Sequence, residues 1–127
     1  MNLTRYARLS ALHGLDDWLS ARELGRIACD EGVVADELQR DFALLLAREL
    51  LGEGLFEVGD INENSFLPWS GSVGENMLRV ARVILGDRTD GWGLGVYFRV
   101  TTTGAAVGAD AKSSLSPRLW AWDDEPS

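Results

Sequence analysis

Cys29 and His13 are the only cysteine and the only histidine in the chain, and thiol, imidazole or zinc chemistry would have to rest on them. A structural zinc site takes about four such ligands, so that class is closed. A Cys–His nucleophilic pair is formally possible, but both residues fall in helical stretches. Cys29 follows Ile27 and Ala28 on an apolar face, where a free thiol packs as a small hydrophobe. His13 precedes Gly14 at a helix end, where a cation suits the helix dipole.

Other residue patterns invite chemistry and decline it. The adjacent carboxylates Asp16/Asp17 and Asp123/Asp124 are neighbours in sequence. Such neighbours rarely converge on one substrate atom, and capping or solvation accounts for them. Gly91-Trp92-Gly93-Leu94-Gly95 is rich in glycine, but a strand follows it where a phosphate-binding loop needs a helix. It reads as a flexible loop with one aromatic anchor. No nucleophile elbow, P-loop or metal-ligand spacing is present. The expectation is a non-enzyme without cofactor or metal.

Composition narrows the class. The chain has 127 residues, 46% of them hydrophobic and 25% charged, as expected of one globular domain. No apolar run approaches the ~20 residues of a membrane span. Twenty acidic residues against twelve basic ones leave a net charge of −8, which works against general nucleic-acid binding. Lys112 is the only lysine among the basic residues. With one cysteine and no signal-peptide pattern in the opening residues, a reducing cytoplasm is the expected compartment.

The elements that must position any site follow from periodicity and caps. Thr4 caps a helix over Arg5 to His13, which Gly14 ends in the left-handed conformation. Ser20 and Glu23 have capping-box spacing and open a second helix with Leu24, Ile27 and Ala28 inward, ended by Gly32. The third helix, Asp36 to Leu51, carries a wide apolar stripe of Leu38, Phe42, Leu45, Leu46 and Leu50. Gly52 and Gly54 break it. Leu55 to Val58 reads as a strand, Gly59 to Ser65 as polar turn, and Phe66 to Trp69 as a returning strand that Pro68 confines to an edge or end. Ser72 and Glu75 form a second capping box. The helix it opens runs to about Leu85, with Met77, Leu78, Ala81, Ile84 and Leu85 inward. Tyr97 to Val100 is a strand, and Thr101 to Ala111 is a short capped helix or a loop. Residues 1–112 make one domain, and 113–127 an irregular tail.

Three helices followed by a β-hairpin is the element order of a winged-helix domain. Ala47 to Asp60, with Leu50-Leu51-Gly52-Glu53-Gly54-Leu55, resembles a winged-helix recognition helix turning into its wing. Thr103-Gly104-Ala105-Ala106 looks like the start of the closing helix in that superfamily. From about Leu15 to Asp110 the chain is similar to small uncharacterised actinobacterial proteins of this build. The resemblance implies an α+β, mainly helical, winged-helix-like fold with a small hairpin or sheet. It also implies DNA reading by the helix from Asp36 to Leu51, and charge argues against that. Between Asp16 and Glu53 ten acids face four bases, a net of −6, and the hairpin adds Glu57, Asp60 and Glu63 without a base. Arg5, Arg8, Arg79, Arg82 and Arg88 form the one counter-feature, if they meet on a face.

The five tryptophans point to recognition. Trp18 is expected in the core, and Trp69 and Trp92 at loop edges. Trp120 and Trp122 stand beside Asp123, Asp124 and Glu125, as on a protein-recognition surface, unless the tail folds back over the domain. The expected role is therefore an acidic module that binds a basic protein through Asp16, Asp17, Asp30, Glu31, Asp36, Glu37, Asp41, Trp120 and Trp122. The profile resembles immunity proteins and antitoxins that neutralise nuclease toxins, including those delivered by cell contact. The alternative is a winged-helix transcriptional regulator.

Overall fold

The computed structural model describes residues 3–27, 32 and 35–114. Among them the chain forms α1 (Leu3–Gly14), β1 (Leu19–Ser20), α2 (Ala21–Ile27), α3 (Asp36–Gly52), β2 (Phe56–Asn62), β3 (Ser65–Pro68), α4 (Val73–Gly86), β4 (Tyr97–Val100) and α5 (Thr102–Ser114). The fold is α+β and mainly helical, with one antiparallel sheet in the order β1-β4-β2-β3. Three helices do precede a hairpin. The sheet, however, is completed by β4, which lies between β1 and β2.

Local chemistry sets most boundaries. The Ser20 amide donates to Glu23 Oε1 at 3.1 Å and the Glu23 amide to Ser20 Oγ at 3.2 Å. Ser72 and Glu75 repeat the reciprocal pair at 3.0 and 3.1 Å, so each helix start has orphan amides satisfied. Thr101 caps α5 by accepting from the Gly104 amide at 3.1 Å, which makes the 102–114 stretch a helix rather than a loop. Two expected helix signals act differently. Thr4 lies inside α1, because the helix already begins at Leu3, whose side chain reaches a cleft shared with Leu45. Gly14 is the last residue of α1 and has no positive φ. Its missing Cβ leaves room for the Phe56 ring, whose carbons would lie 2.8 Å from such an atom.

The hairpin is longer than its composition suggests. β2 continues to Asn62 and β3 begins at Ser65, so the polar run from Gly59 is mostly strand. The turn is only Glu63-Asn64, with φ of 48° and 68°, the left-handed pair that matches strand twist. This end of the hairpin is exposed, so polar side chains pair there without a burial cost. Pro68 ends the edge strand β3, as expected.

The core gathers one face of α3 (Phe42, Ala43, Leu46, Ala47, Leu50) with Tyr6, Leu24, Ile27, Trp92 and Phe98. The Tyr6 and Phe42 rings meet edge to face, 5.4 Å apart. Leu38 and Leu45 do not join that face: they are 55% and 49% exposed. Seven residues apart, they project together from one edge of the helix, and the expected stripe was wider than the side α3 can bury. On α4, Val80 and Ile84 are buried and Met77 partly so, whereas Leu78 and Leu85 are exposed for the same reason. Trp18 is half-buried rather than central, its ring 6.0 Å from that of Phe66. α5 lies very close to α1 and to the α3–β2 connection. A Cβ on Gly104 would stand 1.9 Å from the Leu55 carbonyl oxygen, and one on Gly108 2.5 Å from that of Ala11.

Candidate protein-binding surface

The outer face of α3 presents Glu37, Leu38, Asp41, Leu45 and Arg48, all exposed. At 100° per residue these positions share one side of the helix, with Leu38 and Leu45 at its edge next to the buried face of Phe42, Leu46 and Leu50. Neither Glu37 nor Asp41 has an ion-pair partner among the described residues. Two large aliphatic side chains beside two unpaired carboxylates suit a protein that is itself apolar and cationic.

Asp36, placed on this surface by sequence reasoning as a free carboxylate, is committed elsewhere. Its Oδ2 accepts from Arg40 Nε at 2.8 Å, its Oδ1 accepts from the Trp92 indole N–H at 2.8 Å, and Arg22 Nη1 lies 3.6 Å away. The Arg40 hydrogen bond, helped by that of Trp92, holds the Asp36 carboxyl below its ordinary range. Arg40 itself is only 5% exposed. It donates to the carbonyl oxygens of Ile84 and Asp87, closing the C-terminal end of α4. The Arg22 and Arg40 guanidinium carbons sit 4.8 and 5.0 Å from the Trp92 ring centre. The glycine-rich loop is thus fastened by its tryptophan, which is fully buried rather than at a loop edge.

The remaining predicted residues divide. Asp16 and Asp17 are exposed and line a separate cleft with Trp18, Arg99 and Val100. Asp17 Oδ1 also accepts from the Trp18 amide. Asp30, Glu31, Trp120 and Trp122 lie outside the described residues, as does Cys29. The arginines set aside as a counter-feature are partly engaged. Arg8 pairs with Asp110 at 3.0 Å, while Arg79 sits 3.8 Å from Asp60 and stacks over Trp69.

Sequence reasoning missed Leu38 and Leu45 as surface residues. Helical phase gave no clear signal for them: Leu38 lies only about 40° around the helix from Phe42, and Leu45 falls between Asp41 and Phe42. Among the described residues no three His, Cys, Asp or Glu side chains gather as metal ligands, and no helix is long and apolar enough to cross a membrane. Comparison with known protein families, curated proteins and solved structures finds no match to the chain.

Proposed function

We propose that this chain is a non-catalytic module that binds a basic protein. Its role on this reading is that of an immunity protein or antitoxin holding a nuclease-type toxin inactive in the cytoplasm. The observation that carries the reading is the exposed pair Leu38 and Leu45 beside the carboxylates of Glu37 and Asp41, which have no ion-pair partner among the described residues. A leucine pair supplies the desolvated centre of an interface. The carboxylates and the net charge of −8 supply attraction and selection against acidic partners.

A DNA-binding regulator is the competing reading, and the element order favours it. The face of α3 that would enter the major groove offers Arg48 against Glu37 and Asp41. On the hairpin, Glu57 pairs with Arg99 and Asp60 with Arg79, which moderates its charge without leaving a surplus cation. A phosphate backbone gains little from such a surface.

A photoreactive residue at position 45, introduced in the native host, tests the two readings. The expected adduct is to a basic protein which, once purified, binds the chain with an affinity that weakens as salt rises. An adduct to DNA overturns the proposal in favour of the regulator.

A further inference from the structure

Two clefts meet at Glu49 and Glu53. The larger, about 710 Å³, runs between α1 and α5 over a floor of Ala7, Leu55, Ala106 and Val107. The smaller, about 270 Å³, continues past Leu3 to Leu45 and Arg48. Close packing of α5 through Gly104 and Gly108, together with its small side chains, leaves the larger cleft open. Among the described residues that line the larger cleft the one arginine, Arg8, pairs with Asp110 and also donates to Ser114 Oγ at 2.7 Å.

The charges at the junction oppose their own helix. Glu49 lies in the last turn of α3 and Glu53 is the residue that caps it, and no basic residue occupies that turn. The C-terminal end of a helix carries partial negative charge, so carboxylates there are disfavoured and a cation is favoured. Neither glutamate has an ion-pair partner among the described residues. The fold therefore keeps an uncompensated negative site above an apolar groove. Both glutamates line both clefts, so a cation placed at the junction meets two carboxylates.

We infer that this groove receives an amphipathic helix of the partner protein, its aliphatic face against Leu55 and Val107 and its lysines or arginines against Glu49 and Glu53. Helix-in-groove binding uses this combination of an apolar face and flanking charge. The assignment rests on the reading of the chain as a binder of a basic protein, and it names the part of that partner which docks.

The probe is a fluorescein-labelled synthetic helix of leucine, lysine and alanine, about 15 residues long so that it can hold a helix. Its leucines recur at helical spacing, and a scrambled peptide of the same composition is the control. Anisotropy with the full chain should give saturable binding, about tenfold weaker for the scramble. Ala106→Arg, at an exposed position of α5, should weaken binding about tenfold, because it fills the groove with a cation. Thr103→Arg should do the same from one turn earlier on α5, and unchanged circular dichroism shows that each variant is folded. Glu49→Gln with Glu53→Gln should weaken binding several-fold and flatten its salt dependence.

Binding indifferent to these variants but lost on Leu38→Arg overturns the groove and leaves the outer face of α3 as the binding surface. Absence of peptide binding together with a shift of duplex DNA overturns both. If Trp120→Ala with Trp122→Ala strengthens peptide binding tenfold or so, the chain's own tail is the occupant and the inference fails. It fails equally if sedimentation shows a dimer that Ala106→Arg dissolves, since a second copy then fills the groove.

Discussion

The indole N–H of Trp92 donates to the carboxylate of Asp36 at 2.8 Å, across 56 positions of sequence. This bond ties the loop before β4 to the first turn of α3, and Arg40 ties the same turn to the end of α4. The carboxylate itself gathers α2, α3 and that loop, through Arg22, Arg40 and Trp92. Trp92→Ala removes the largest fully buried side chain among the described residues and should cost about 3–5 kcal/mol. Asp36→Asn should destabilise measurably more than Asp16→Asn, because Asp16 is exposed and joins no ion pair among the described residues. Urea titration of the three variants checks both statements, and equal midpoints for the two asparagine variants would remove the latch.

Acid should loosen the same junction. Asp36 is held below its ordinary range by Arg40 and then by Trp92, Glu75 by the Ser72 amide and hydroxyl, and Asp87 by the Thr89 hydroxyl and amide. A carboxyl depressed in the folded state contributes stability above its unfolded value and loses it as the pH falls through the folded one. Stability should therefore hold at neutral pH and decline as the pH drops through ~4 and below. Asp36→Asn should make that decline shallower. A parallel acid titration of parent and variant would contradict this account of Asp36.

Phe42→Ala and Leu46→Ala should each cost about 2–5 kcal/mol, the usual range for large core truncations. Leu38→Ala and Leu45→Ala, one helical edge away, should stay within about 0.5 kcal/mol of the parent. Chemical denaturation separates the two pairs. A large loss at Leu38 would mean that this edge of α3 is covered.

Duplex DNA should not bind at physiological salt. The measurement is a gel shift on random and promoter fragments, and a complex that weakens steeply with added salt would promote the regulator reading.

Association with a basic partner should be steered by charge. Single changes at Asp16, Asp17, Glu37 or Asp41 should do little. All four converted to amides should slow association several-fold and flatten its salt dependence, with thermal stability nearly constant. Stopped-flow mixing at two ionic strengths reads this directly. An on-rate blind to both would reduce the acidity to a solubility device.

What was legible in sequence was what is decided locally. Ser20 with Glu23, Ser72 with Glu75 and Pro68 at a strand end each act within a few residues, so spacing reveals them. Periodicity showed that α3 and α4 each bury a face. It could not show which edge of a wide apolar stripe meets a neighbour, and so Leu38, Leu45, Leu78 and Leu85 were assigned inward. The Glu63-Asn64 turn lacks the usual glycine, which hid the length of the hairpin. The pairing of Asp36 with Arg40, four residues on, lay within reach of spacing, but its bond to Trp92 is made only by the tertiary fold, and the groove at Glu49 and Glu53 exists only where three helices converge.

The central place of β4 governs how this molecule comes into being. A nascent chain that has reached Pro68 already contains β1, β2 and β3, yet the strand that joins β1 to β2 has not been made. Likewise α1 waits for α5, on which it packs. The contacts that close the fold are therefore among the longest in sequence, which slows folding and makes it depend on nearly the whole described chain. Synthesis halted short of Val100 leaves two strand edges and the apolar side of α1 without cover, the kind of surface that chaperones and proteases recognise.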